Sequence, residues 1–175
     1  MKYNYLILLL VFLVSCNNDQ KEKNQDFIED SKAEAFQAKS GKMTNQIVGK
    51  RFNSIPDLVS GITNLDEVLI FYFTGSDCYT CIVKGFDYIK DIKTKFPEKH
   101  VIVIDAHLGI SLKQEPIEFN SLTYPDRERL LHKEMFYVHT PLFMRYSIEN
   151  GAKSVYFVPT FEDRNKYQEF INNLN

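Results

Sequence analysis

The stretch VLIFYFTGSDCYTC, residues 68–81, decides how this chain folds. Its first seven residues, Val68–Thr74, are a continuous apolar and aromatic run, which is typical of a β-strand buried on both faces. Cys78 and Cys81 follow this run, three residues apart. Apolar residues then recur at helical spacing, so a helix is expected from about Tyr79. The two cysteines are therefore expected at the junction between a buried strand and a helix.

The segments on either side of this junction give the order of the elements. Residues 46–62 predict a short strand followed by a turn or short helix, and HVIVIDA, 100–106, predicts a second buried strand. Strand, helix and strand at this spacing form a crossover unit, so the two buried strands should be parallel. Residues 107–124 carry no firm pattern and are expected to form an insertion or loop. Asp126 is expected to cap a helix over residues 127–138.

The C-terminal third predicts a hairpin and a final helix. PLFMRYSI (141–148) and KSVYFV (153–158) read as strands, and the Asn150-Gly151 dipeptide between them is typical of a tight turn. A last helix is expected to open at Thr160. Its apolar stripe has helical spacing and consists of Tyr167, Phe170, Ile171 and Leu174. The pattern as a whole predicts an α/β fold.

The N-terminus has the features of an export signal. Lys2 provides a positive start, and the apolar run over residues 6–14 is too short to span a bilayer. The run ends in LVSC, which resembles the lipobox of bacterial lipoproteins. That resemblance implies that residues 1–15 are a signal peptide and that Cys16 carries a diacylglycerol lipid. The alternative is an ordinary signal peptide that happens to contain a cysteine.

Composition and charge support a single exported domain. Residues 16–43 are polar and are expected to form a flexible tether, and residues 44–175 a globular domain. The net charge is −2, from 21 basic and 23 acidic residues, so no basic excess points to nucleic acid. The signal peptide and the lipobox resemblance imply a location in the bacterial envelope, on the periplasmic side of the inner or outer membrane. This compartment tolerates disulfides. With Cys16 assigned to lipid, Cys78 and Cys81 are the pair left for chemistry.

The position of the pair suggests a reactive dithiol. A thiolate attacks disulfides, and free amides and the helix dipole at a helix start favour negative charge, so the pKa of Cys78 should be depressed. Cys81 lies one turn further along the same side. Cys78 would attack a client disulfide, and Cys81 would resolve the mixed disulfide. A structural disulfide stays open as an alternative, although a loop this short would stabilise the fold weakly.

Together with the element order, these residues resemble the thioredoxin superfamily over about residues 68–175. The resemblance implies a three-layer α/β/α sandwich with a mixed central sheet. HTPLFMRY matches a second landmark of the family, a proline before the third family strand that is typically cis. By this resemblance Pro141 would lie beside Cys78, and Thr140 would offer backbone hydrogen bonds to a client peptide. No cofactor beyond the redox-active Cys78–Cys81 disulfide is implied.

Three features of the sequence depart from the family pattern. Asp77 stands where the family usually has tryptophan, and its carboxylate would oppose thiolate formation unless it points into solvent. The dipeptide between the cysteines is Tyr79-Thr80, and not the Gly-Pro, Pro-His or Gly-His of well-known subfamilies. Tyr72 replaces the buried acid that many thioredoxins carry six residues before the first cysteine. The reduction potential and the proton-transfer partner therefore do not carry over from the family.

The sequence thus predicts an envelope thiol:disulfide oxidoreductase. Its partners would be client proteins with disulfides or thiols and an envelope electron donor or acceptor, and its membrane contact would be the lipid anchor. We expect the reducing direction, by analogy with lipid-tethered relatives. The alternative is a non-catalytic thioredoxin-like binding lipoprotein, including a Cu(I) metallochaperone that would use Cys78, Cys81 and His139 as ligands.

Overall fold

The computed structural model describes residues 34–36, 38–59, 65–106, 123–159 and 164–174. The chain divides into two compact units, Met1–Lys39 and Ser40–Asn175. The predicted signal peptide, Cys16 and most of the predicted tether lie outside the described residues, and those predictions stay predictions. Among the described residues, no helix is long and apolar enough to cross a membrane.

The second unit begins with a helix where the sequence suggested a tether and then a strand. Residues 38–47 are helical, and the part from residue 40 on belongs to this unit and is called α1; α2 follows at Ser54–Leu58. Met43 and Ile47 are 8% and 0% exposed, because residues four apart share one face of a helix and this face packs inward. The strand expected within residues 46–62 is absent from the described part of that range.

A five-stranded mixed sheet forms the centre of this unit. Its strands are β1 Val68–Thr74, β2 Val101–Ala106, β3 Thr123–Pro125, β4 Leu142–Ser147 and β5 Gly151–Phe157, in the order β3-β2-β1-β4-β5. β1 runs parallel to β2, as the crossover pattern predicted, and antiparallel to β4. β4 pairs antiparallel with β5, as the hairpin pattern predicted. All seven β1 residues are buried, because helices cover both faces of this central strand.

The helices lie on both faces of the sheet. The odd-numbered β1 residues Leu69, Phe71 and Phe73 pack with α3 (Tyr79–Lys95) and α5 (Arg164–Asn172). Tyr72 points to the opposite face, where its ring meets His132 of α4 (Leu130–Glu134) at a centroid distance of 6.0 Å. The three layers and the strand order confirm the predicted thioredoxin-like fold.

The predicted helix over residues 127–138 is wrong in length, since α4 has only five residues. Three residues around it adopt left-handed backbone, which interrupts a right-handed helix: Arg129, Phe136 and Tyr137. The residue at the N-cap position is Arg129 and not Asp126. Asp126 nevertheless bonds the helix start, because its carboxylate accepts hydrogen bonds from the first two amides of α4 at 2.8 and 3.1 Å.

Two further predictions meet the boundary of the described residues. The last two residues of the loop expected over 107–124 belong to β3, the edge strand Thr123–Pro125, which pairs in parallel with β2. Residues 107–122 and the predicted cap at Thr160 lie outside the described residues. The final helix is confirmed over Arg164–Asn172, and most of its predicted stripe is buried: Phe170, Ile171 and Leu174.

A glycine sets the distance between β1 and the helix that follows the cysteines. Gly85 lies on the face of α3 that contacts Phe71 of β1. An ideal Cβ on Gly85 would lie 2.5 Å from Cε2 and 3.1 Å from Cε1 of that ring, and closer still to Cζ. The absence of a side chain at this position therefore allows α3, which carries both cysteines at its start, to pack directly on the central strand.

Candidate active site

Cys78 and Cys81 form a disulfide across the first turn of α3. Their Cα atoms are 5.3 Å apart, within the range of ordinary disulfides. The two residues differ in access, since Cys78 is exposed and Cys81 is only 4% exposed. An external reactant therefore reaches Cys78 first.

The backbone around Cys78 places its sulfur at the amino end of the helix. Cys78 is the N-cap residue of α3 with extended backbone, and its Sγ accepts a hydrogen bond from the Cys81 amide at 3.2 Å. The Thr80 hydroxyl is 3.4 Å from the same sulfur. Amide donors and the positive end of the helix dipole stabilise negative charge, so this arrangement favours a thiolate at Cys78 once the disulfide is reduced.

The carboxylate of Asp77 points into the protein, which differs from the solvent-facing orientation considered from sequence. Its Oδ2 accepts a hydrogen bond from the Thr74 amide at 2.6 Å, and its Oδ1 accepts one from the Thr140 hydroxyl at 2.6 Å. The Asp77 amide in turn donates to the Thr74 carbonyl at 3.1 Å. Asp77 therefore connects the end of β1 to the segment that precedes β4.

The same contacts bring Thr140 and Pro141 to the cysteine turn. The Thr140–Pro141 peptide bond is cis. Thr140 is only 5% exposed, and its hydroxyl lies 3.3 Å from that of Thr74. The Pro141 carbonyl accepts a hydrogen bond from the Val158 amide at 2.9 Å, beside β5. Residues some sixty positions apart in sequence thus meet at one end of the sheet.

His139, the third ligand of the copper alternative, lies next to this segment. Its side chain is exposed, and its backbone amide donates to Met43 Sδ at 3.2 Å. Within the part of the chain that the structure describes, no three side chains of histidine, cysteine, aspartate or glutamate are grouped to hold a metal ion. The Cu(I) ligand set of Cys78, Cys81 and His139 stays a prediction.

Tyr72 occupies the position of the family's buried acid, with different chemistry. Its hydroxyl donates to Asp126 Oδ2 at 3.3 Å. Burial first, and then the charge of Asp126, raise the pKa of Tyr72 well above its ordinary value. On the same face, His132 Nε2 lies 3.0 Å from the Val138 carbonyl and therefore donates to it. The Tyr72 phenol remains protonated and acts as a hydrogen-bond donor in the core.

The sequence reasoning did not single out Thr74 and Ser76. Their hydroxyls lie 2.8 Å apart, and Thr74 is fully buried next to Thr140. The run TGSD, residues 74–77, contained a signal for this arrangement, because Thr, Ser and Asp side chains readily bond nearby backbone and close turns. The partner on the far side, Thr140, has no such local signal.

No family model matches the chain, and neither does any curated protein. Among solved structures, the chain is similar to the exposed lipoprotein thioredoxin Etrx1 from Streptococcus pneumoniae, with 13% identity, a TM-score of 0.45, and coverage of 64% of this chain and 89% of that one. It is also similar to StoA from Bacillus subtilis, with 14% identity, a TM-score of 0.41, and coverage of 63% and 83%. A secreted disulfide oxidoreductase from Mycobacterium tuberculosis matches at 11% identity, a TM-score of 0.43, and coverage of 62% and 80%. The order of the strands and the place of the cysteine pair at the end of β1 define the fold.

Proposed function

We propose that this chain is a thiol:disulfide oxidoreductase that reduces disulfides in client proteins. The observation that carries the proposal is the asymmetry of the pair. Cys78 is an exposed residue whose sulfur caps the start of α3, whereas Cys81 is buried. An exposed, amide-stabilised sulfur suits a nucleophile, and a shielded sulfur one turn away suits a resolving group.

The reaction requires two exchange steps. The Cys78 thiolate attacks one sulfur of the client disulfide, which forms a mixed disulfide and releases the other client sulfur as a thiolate. The Cys81 thiolate then attacks the Cys78 sulfur, closes the Cys78–Cys81 disulfide and releases the second client thiolate. Two electrons pass from the protein to the client, and the released thiolates take up protons from water. An external dithiol donor must then reduce the Cys78–Cys81 disulfide.

The surroundings of the pair suggest how a client is held. Thr140 and Pro141 lie against the turn that precedes Cys78, so we assign them to the groove that receives the client peptide. The backbone carbonyl and amide of Thr140 belong to this segment and would form hydrogen bonds with an extended client backbone. This assignment follows the family resemblance and needs no group beyond the Cys78–Cys81 disulfide.

The proposed location is the bacterial envelope. Cys16, in the lipobox-like LVSC, would carry the acyl lipid and anchor the chain to the membrane. The clients would then be exported proteins, and the electron donor an envelope dithiol protein. Incorporation of a labelled fatty acid in a bacterial host, compared between the natural chain and Cys16→Ser, tests the anchor directly.

Two assays test the proposed activity in the full chain carrying Cys16→Ser, which removes the unrelated thiol. The rate of Cys78 alkylation by iodoacetamide should follow an apparent pKa below the value of about 8.5 for free cysteine. Insulin disulfide reduction, driven by dithiothreitol, should disappear in Cys78→Ser. In Cys81→Ser, attack should continue but the mixed disulfide should accumulate, which gel analysis without reductant detects.

The result that contradicts the proposal is a pair that alkylates like free cysteine and does not exchange with insulin. A reduction potential measured against glutathione then decides the direction. A potential close to the thioredoxin value of about −270 mV agrees with reduction of clients, whereas one near the DsbA value of about −120 mV indicates an oxidant.

A further inference from the structure

We infer that Asp77 is a positioning residue that holds the Thr140–Pro141 segment against the turn carrying Cys78. This inference rests on the proposed function, because what it positions is the site that would receive a client disulfide. Tryptophan is usual at this place in the family that the sequence resembles, and a carboxylate there first suggested only a charge unfavourable to the thiolate. The contacts of Asp77 give it a second role.

The hydroxyl groups around Asp77 form a chain whose direction can be derived. A carboxylate only accepts hydrogen bonds, and a hydroxyl has a single proton to donate. Thr140 uses its proton on Asp77 Oδ1, so in the 3.3 Å contact between the two threonines Thr74 must be the donor. Thr74 has then used its own proton, so Ser76 donates across the 2.8 Å contact to Thr74. The chain runs from Ser76 through Thr74 and Thr140 to Asp77.

Most of this chain of hydrogen bonds is shielded from water, so the loss of one of its bonds should be costly. Thr74 is 0% and Thr140 5% exposed, whereas Ser76 at the outer end is exposed. Asp77 Oδ2 also accepts from the Thr74 amide, so one carboxylate is bonded both to the end of β1 and to the segment before β4. Hydrogen bonds to a charged acceptor are among the stronger ones, and removal of that acceptor leaves buried donors without a partner.

Because the hydroxyl protons in this chain of hydrogen bonds can reverse direction, Asp77→Asn is a conservative variant. In Asp77→Asn the side-chain oxygen can still accept from the Thr74 amide, while the side-chain NH₂ donates to the Thr140 hydroxyl. Thr140 would then donate to Thr74, Thr74 to Ser76, and the exposed Ser76 to water. Every hydrogen bond survives with the hydroxyl protons reversed, and only the negative charge is lost. Asp77→Ala loses both the charge and the connection.

The experiment compares exchange with a protein disulfide against reaction with a small reagent. In the full chain carrying Cys16→Ser, kcat/KM for insulin disulfide reduction should fall about tenfold in Asp77→Ala and in Thr140→Val, because a misplaced client segment costs orientation. Asp77→Asn should recover most of that loss. Alkylation of the Cys78 thiolate by iodoacetamide, which needs no client groove, should proceed at the natural rate above its pKa in all three variants.

The two Asp77 variants also separate position from charge. Both remove the same carboxylate beside Cys78, so both should shift the pH profile of alkylation in the same direction, towards lower pH. A difference in insulin reduction between them therefore comes from the hydrogen bonds. Asp87→Ala is the matched control, since it removes an exposed carboxylate from α3 that pairs with Lys90, and it should leave both assays unchanged.

Each outcome either supports or overturns the inference. Asp77 and Thr140 lose the same bond, so the double variant Asp77→Ala, Thr140→Val should be little worse than either single one, whereas additive losses overturn the inference. Insulin reduction at the natural rate in Asp77→Ala, or an equal loss in Asp77→Asn, also overturns it. If the unsubstituted chain fails to reduce insulin, the proposed function itself fails, which is a separate result. If Asp77→Ala does not fold, as circular dichroism would reveal, Thr140→Val and Asp77→Asn still decide.

Discussion

Replacement of Gly85 by alanine tests whether α3 lies directly on β1. Alanine is the better helix former, and the change alone should stabilise an exposed helix by about 1 kcal/mol. At Gly85, however, the new Cβ would lie 2.5 Å from Phe71 Cε2, where ordinary contacts begin at 3.4 Å. The ring or the helix must therefore move by about 1 Å, on the scale of the overpacking that strains cores.

The Phe71 ring cannot move away easily, because other aromatic rings surround it. Phe71 is 0% exposed, and its centroid lies 4.7 Å from that of Phe143 and 5.5 Å from those of Phe73 and Phe86. Overpacking of a dense core typically costs about 1–3 kcal/mol. Set against the gain of about 1 kcal/mol in helix propensity, the net loss in the free energy of unfolding should reach up to about 2 kcal/mol.

The matched control is Gly41→Ala in α1. An ideal Cβ on Gly41 meets no atom within 4 Å, so this variant should gain up to about 1 kcal/mol from helix propensity alone. Urea unfolding of the oxidised chain, followed by circular dichroism, should therefore give the two variants opposite signs. In a Phe71→Leu background the Gly85→Ala loss should shrink, because the smaller side chain leaves room for the Cβ. Equal stability changes at Gly85 and Gly41 would refute the close approach of α3 to β1.

Two further predictions concern the far end of the sheet. Gly151 has φ +75°, and a Cβ there would lie 2.6 Å from the Lys50 carbonyl carbon, so Gly151→Ala should lose about 2 kcal/mol of stability in thermal unfolding. Gly151→Asn, which tolerates the left-handed backbone but keeps the clash, should recover little, and full recovery would show that the close approach to Lys50 is wrong. Burial would raise the pKa of Glu67, but hydrogen bonds and charges from Arg145 and Lys153 outweigh burial and hold it below 4.5. A carboxyl whose pKa is lower in the folded than in the unfolded state stabilises the fold at pH values above its unfolded-state pKa. This stabilisation is lost as the pH falls through its folded-state pKa. The stability difference from Glu67→Gln, measured by urea unfolding, should therefore be largest at neutral pH and shrink in acid as the Glu67 carboxylate is protonated, and a difference independent of pH would contradict it.

The elements with strong local patterns were predictable from sequence. The run VLIFYFT identifies β1 because a strand covered on both faces needs apolar residues at every position, and the structure has the same bounds, Val68–Thr74. The stripe at helical spacing predicts α3, and Asn150-Gly151 predicts the hairpin that joins β4 and β5. In each case the signal lies within one element and its neighbour along the chain.

The elements that failed depend on contacts from distant parts of the chain. The start of the second unit is helical rather than extended because Met43 and Ile47 find a buried surface, and residues 46–47 continue that helix. α4 ends after one turn because Phe136 and Tyr137 adopt left-handed backbone. Two adjacent aromatic residues give no local signal for that conformation. Propensity is a weak guide where tertiary packing decides.

At the candidate site, the sequence by itself determined the chemistry available. Cys78 and Cys81 at a strand-to-helix junction define a dithiol at a helix start, and its position depends only on residues close in the chain. The tertiary structure alone decided where the charge of Asp77 points. Its partner Thr140 is 63 positions away, and only the pairing of β4 with β1 brings the two together. Side-chain orientation depends on such non-local neighbours, which is why a residue read as an unfavourable charge emerges as a connection between two parts of the site.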